Sequence, residues 1–188
     1  MRLEIKKYGD PILRVKGKPI ETVDDRIRAL AADMLETMHA ANGVGLAAQQ
    51  VGEPVQLTVV DVSLVEDRPS RMTLNGAEVE NLAAAMPLVL LNPILRLSEE
   101  KDSGTEGCLS FPDITAEIDR ALSLELEAET LDGAKVRIEA SGLLSRALQH
   151  EADHLNGILF IDRMSSAAKA SLSSKLRRLQ KQTQRETE

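Results

Sequence analysis

His150-Glu151-Ala152-Asp153-His154 lies within a run whose apolar residues, Leu143, Leu144, Ala147, Leu148 and Leu155, recur at helical spacing. Ser141-Gly142 before the run and Asn156-Gly157 after it are helix start and stop signals, so one helix is expected between them. Residues four apart on a helix stand one turn above each other on the same face. Both imidazoles can therefore reach a single metal ion, with Glu151 beside them for proton transfer. A shuffled chain with only three histidines would produce this pair, with Glu after the first, on the order of a few times in a thousand. Chance is a poor account of it.

Outward from this helix the pattern changes to that of strands. Leu122, Leu124, Leu126 and Ala128 alternate with Ser123, Glu125, Glu127 and Glu129, the period of a strand buried on one face. Asp132-Gly133 is a hairpin signal, and Val136 and Ile138 resume the alternation, which predicts an antiparallel pair. Val55 to Val62 and Leu88 to Leu91 are further strand candidates. Between them, residues 64–86 carry Asp, Glu, Pro, Ser and Asn with little apolar period, and a surface insertion without a chemical role is expected there. Nearer the start, Ile27, Leu30, Met34, Leu35 and Met38 predict a helix from about Thr22 that closes at Asn42-Gly43. A last helix is expected from about Ser165, with Leu172, Leu176 and Leu179 on one side, fraying over residues 182–188. The expected class is α+β, with antiparallel β-sheets packed around a central metal-binding helix, an N-terminal and a C-terminal helix, and a single domain over 1–188.

Composition narrows the function. A chain of 188 residues with 43% hydrophobic and 28% charged residues is ordinary for one globular domain. No apolar run approaches the ~18 residues of a membrane span. The opening Met1-Arg2-Leu3-Glu4-Ile5-Lys6-Lys7 lacks the apolar core of a secretory signal, so a cytoplasmic protein with no membrane partner is expected. A net charge of -7 argues against a general nucleic-acid surface, DNA included, and favours a small molecule or peptide as partner.

A hydrolytic site of this kind takes a third protein ligand and leaves one position open. Residues 155–160 contain no histidine, and the last helix has no Glu before Glu186. Cys108 is the remaining strong candidate, in Glu106-Gly107-Cys108-Leu109-Ser110-Phe111-Pro112, where Gly107 and Pro112 bracket a short rigid segment suited to fixing a thiolate. In Gly43-Val44-Gly45-Leu46-Ala47-Ala48-Gln49-Gln50, close glycines let the backbone approach a ligand and small residues precede a glutamine amide. Taken alone, that segment is equally a helix cap and loop. Two rival readings stand beside this one: a metallopeptidase cutting internal amides with the same metal, water and glutamate, and a non-enzyme whose site is made structural by His39 as fourth ligand, although His39 reads more simply as a surface or cap residue.

In this order the three segments, G-x-G-L-A-A-x-Q, E-G-C-L-S and H-E-x-D-H, resemble those of the peptide deformylase family. Similarity extends from Tyr8-Gly9-Asp10-Pro11-Ile12-Leu13-Arg14 to Leu159-Phe160-Ile161-Asp162, with 64–86 as added length. The helical C-terminus is similar to the form common in Gram-negative bacteria. The resemblance implies removal of the formyl group from the N-terminal formyl-methionine of new proteins, with a divalent metal on Cys108, His150 and His154. It implies that Glu151 moves the proton, that the Gln50 amide and the Leu109 N–H face the oxyanion, and that Gly43, Val44 and Gly45 bind substrate. Ferrous iron is the implied physiological ion, with zinc, nickel or cobalt possible in purified protein, and the last helix is implied to contact the ribosome.

Overall fold

In the computed structural model, which describes residues 1–187, a 3-10 turn at Pro11–Arg14 precedes α1 (Asp25–Ala40), β1 (Gly45–Ala47) and β2 (Leu57–Val60). There follow β3 (Ser70–Leu74), β4 (Ala77–Glu78), the single turn α2 (Leu82–Ala85) and β5 (Leu88–Leu97). Two hairpins come next, β6 (Lys101–Cys108) with β7 (Phe111–Ala121) and β8 (Ser123–Glu129) with β9 (Lys135–Gly142), before α3 (Leu143–Leu155) and α4 (Ser166–Thr187). Strands in the order β1-β2-β5-β8-β9-β3-β4 form one antiparallel sheet, and β6-β7 form a separate two-stranded one. The α+β expectation, with antiparallel sheets around the metal-binding helix and helices at both ends, is what the chain adopts.

Local chemistry accounts for the helix limits. Asp24 caps α1 by accepting from Ile27 N (2.9 Å), and α1 closes where Gly43 N donates to Met38 O (3.0 Å) just after Asn42 turns left-handed. Its Ile27, Ala31, Met34 and Met38 pack on Leu46, Leu57, Val59 and Leu91. β9 passes into α3 at Gly142, so Ser141, expected to open the helix, belongs to the strand. All residues of α3 except Ala152 are buried. Leu144 and Leu148 lie under the large sheet beside Leu126 and Ile138, each such side chain stabilising the fold by about 2 kcal/mol.

Two sequence expectations need correction. Residues 64–86 do lie at the surface, but they contain an edge hairpin of the large sheet, with Met72 opposite Ala140 of β9 and 2% exposed. Val65, Leu74, Val79, Leu82 and Met86 pack beside the same core. The apolar residues there serve a strand of five residues and a turn, too short to declare a period. The C-terminal helix does not fray at 182. It continues to Thr187, with Thr183 buried, while Glu188 lies outside the described residues. Leu172, Leu176 and Leu179 join Leu13, Phe111 and Phe160 in a third core cluster. Among the described residues no helix is long and apolar enough to cross a membrane.

Candidate metal centre

Three elements converge at the middle of α3. The helix turns His150 and His154 to one side, and Cys108 ends β6 at the tight return to Phe111. The 3-10 turn Ala48–Val51, which follows β1, supplies Gln50. Cys108 Sγ lies 3.3 Å from His154 Nε2, which in turn faces His150 Nε2 at 3.2 Å. Two nitrogen ligands on a tetrahedral ion stand roughly 3.3 Å apart and a sulfur–nitrogen pair about 3.6 Å, so this thiol and two imidazoles fit one divalent cation. Among the described residues they are the one such cluster. His39 is not part of it, since its Nε2 meets Asp61 Oδ2 at 2.9 Å.

Burial and neighbouring charges pull the titratable groups of this cluster in opposite directions. Burial works against charge on both rings, but on His150 the Cys108 and Glu106 groups overcome it and push its pKa well above the ordinary histidine range. On His154 burial, followed by His150 and Arg120, pushes the pKa well below that range. Burial also pushes the Glu151 carboxyl up to about 7, partly offset by His150. Its Oε2 is buried with no hydrogen-bond partner among the described residues. On the opposite side the Glu151 carboxyl presses on β1, where a Cβ added to Gly45 would come within 2.8 Å of Glu151 Cδ. Only glycine allows that approach.

Behind the ligands lies a buried network that the sequence reading did not assign. His150 Nδ1 donates to Glu106 Oε1 (2.8 Å). Arg120 grips the same carboxylate through Nε (2.8 Å) and Nη2 (2.9 Å), and Arg146 Nη1 adds a further bond at 2.9 Å. Arg120 Nη1 also donates to Asp153 (2.6 Å), which Arg163 pairs from outside (2.8 Å). Burial alone would raise the Glu106 pKa, but Arg120 and His150 hold it down at about 2. A carboxylate on the second nitrogen of a ligating histidine fixes its tautomer and ring orientation. Glu106 stands two residues before Cys108 on a strand and so shares its side of β6, the signal from which its role was readable.

Gln50 is fixed from both ends of its amide. Its Oε1 accepts from Ala47 N (2.9 Å), which turns Nε2 toward Ser110 Oγ (3.1 Å) and Cys108 Sγ (3.6 Å). A cavity of about 520 Å³ opens over the site, lined among others by Val44, Leu109, Leu143, Ala147 and His150. A thiolate and two imidazoles with an adjoining buried carboxylate under an apolar cleft define a mononuclear metallohydrolase.

Comparison with known proteins narrows that class. Residues 2–170 match the family described as polypeptide deformylase. The chain is 43% identical over 181 residues to a peptide deformylase of Methylacidiphilum infernorum (isolate V4), covering 96% of this chain and 94% of that one. A crystal structure of peptide deformylase from Thermus thermophilus superposes with a TM-score of 0.80 at 36% identity, over 96% of this chain and 99% of that one. Arabidopsis thaliana peptide deformylase 1B, in complex with an inhibitor, gives 0.84 at 36% identity over 98% and 94%. The chain therefore belongs to the polypeptide deformylase family. Its reaction is the removal of the N-formyl group from nascent polypeptides.

The network behind His150 makes a test of its own. Glu106→Gln is expected to lower metal affinity 10–100-fold, the usual effect of losing a carboxylate behind a ligating histidine, read by titration against a chelator. Glu106 has a depressed pKa in the folded state, so its contribution to stability is complete above the ordinary glutamate range and is lost as pH falls toward about 2. Urea unfolding between those limits should be less pH-dependent in the variant. Equal metal affinity and an equal slope would remove the role assigned to Glu106.

Proposed function

We propose that the substrate is an N-formyl-methionyl nascent peptide, that Glu151 is the proton-transfer group, and that Gln50 Nε2 and the backbone N–H of Leu109 donate to the oxyanion. Cys108, His150 and His154 hold one divalent ion, and Gly43, Val44 and Gly45 bind the peptide. The observation that carries this reading is that Cys108, His150, Glu151, Gln50, Leu109 and the Gly43–Gly45 segment all line one cavity. An ion held there lowers the pKa of a water toward neutrality and polarises the formyl oxygen. Glu151, buried beside the ligands, takes the proton of the attacking water and returns it to the leaving amine. Gln50 donates without reorganising, because its amide is already fixed by Ala47 and Ser110. β1 is an edge strand of the large sheet, the setting in which an extended peptide adds as a further strand. The methionine side chain enters the part of the cavity walled by Val44, Leu143 and Ala147, a fit that discriminates by ~1–3 kcal/mol per methylene.

The same reading takes ferrous iron as the physiological ion. A thiolate with two imidazoles binds several divalent metals, so zinc, nickel or cobalt can replace iron in purified protein. It also assigns the protein to the cytoplasm, with cell fractionation as the check. The exposed Lys175, Arg177, Arg178 and Lys181 of α4 contact ribosomal RNA in an otherwise acidic protein.

Bound metal and deformylation of a formyl-methionyl peptide, measured together, test the core of this. Glu151→Ala is expected to keep its metal and lose activity, and Cys108→Ser to lose both. Full activity in either variant refutes the role given to that residue. Iron-loaded protein should lose activity in air by oxidation of the metal or of Cys108, while a nickel-loaded sample keeps it; equal lifetimes would count against iron. Reversing the charges of Lys175, Arg178 and Lys181 should weaken ribosome co-sedimentation at low salt and spare activity on a short peptide. Unchanged sedimentation would end the ribosome assignment.

A further inference from the structure

Two walls of the cavity lead away from the metal centre over the same distance. Along β6, Thr105 precedes Cys108 by three residues, roughly 10 Å at the rise of a strand. Along α3, Leu143 precedes His150 by seven, again roughly 10 Å at helical rise. All four residues line the cavity. The far ends of the walls are bridged by the segment between β2 and β3. Pro69 O accepts from Leu143 N (3.2 Å), and Arg68, which also lines the cavity, donates from Nη1 to Thr105 O (3.2 Å). The segment is anchored at its other end, where Asp61 N donates to Val44 O (2.8 Å). Beside Thr105, the Arg146 guanidinium lies against Gly104, where an added Cβ would come within 3.0 Å of Arg146 Cζ, so the β6 wall has no room to recede on that side.

We propose that Arg68 is the end stop of the side-chain pocket and sets the length of the first residue that the enzyme accepts. From formyl carbon to terminal methyl, a methionine extends roughly 8 Å at ordinary bond lengths, just short of the bridged end. A side chain two carbons longer meets the guanidinium. The inference rests on the reading that the methionine side chain occupies this part of the cavity. Arg68 suits such a role because its hydrogen bond goes to a backbone carbonyl and, among the described residues, it has no carboxylate partner. Removing its side chain strands no buried charge, so pocket length can be changed apart from stability.

The test is kcat/KM for three peptides that differ only in the first residue: formyl-methionyl, formyl-norleucyl and formyl-2-aminooctanoyl. Wild type, Arg68→Ala and Arg68→Gln are compared, with urea midpoints confirming that each variant folds. Wild type should favour methionine and norleucine over the longer chain by tenfold or more, the scale at which a pocket discriminates a single methylene. Arg68→Ala should lose most of that preference, and Arg68→Gln, which retains bulk and a donor, should keep more of it. An unchanged length preference in Arg68→Ala overturns the proposal. So does a variant whose length preference is intact but whose discrimination between acidic and basic second residues has changed, since that assigns Arg68 to charge recognition. A wild type inactive on the formyl-methionyl peptide would instead overturn the function on which the inference rests.

Discussion

A carboxylate taken out of water must be paired on every side, and the architecture around the metal centre follows from how Glu106 meets that demand. It accepts from Arg120, Arg146 and His150 at once, which ties β7, α3 and its own strand β6 to a single point. The small hairpin makes no ladder with the large sheet. This network and the third core cluster are what hold Cys108 at a fixed distance from helix α3. Geometry at the ligands is thus inherited from a buried ion network several ångströms behind them.

That network also explains what the sequence concealed. The helix bearing His150 and His154 was readable because ligand spacing and helical period coincide. The β8–β9 hairpin was readable because its buried face is wholly apolar. In β6 and β7 the inward positions include Glu106 and Arg120, which pattern reading assigns to solvent, and β6 has two glycines and no aliphatic side chain. A strand whose core-facing residues are charged has no period to detect. β1 and β4 were invisible for a plainer reason, being three and two residues long. At the site, Cys108 emerged by elimination, whereas Arg120 and Arg146 carried no local signal, because their partners lie 14 and 40 residues away on other elements.

A helix buried on nearly all sides must also satisfy its last carbonyls without water. Leu155 O accepts from Gly17 N (2.9 Å), Gln49 Nε2 (3.2 Å) and Gln56 Nε2 (2.9 Å). Gln49 adjoins Gln50, and Gln56 adjoins β2, so the end of α3 is seated on the segment that carries Gln50 to the metal centre. The glutamine pair that reads as one feature in sequence divides its work, one amide securing the helix and the other facing Cys108 and Ser110.

Cys108 and His154 are separated by 46 residues of chain, and they arrive from a hairpin and a helix that share no backbone ladder. A single cysteine cannot make an internal disulfide, yet an ion held between that thiol and the two imidazoles would join the same two elements and, binding only the folded arrangement, would stabilise it by its own binding free energy. The cofactor is therefore also a reversible crosslink. Losing it would remove one tie between the β6–β7 hairpin and α3 and leave the Glu106 network and the third core cluster to hold the two together.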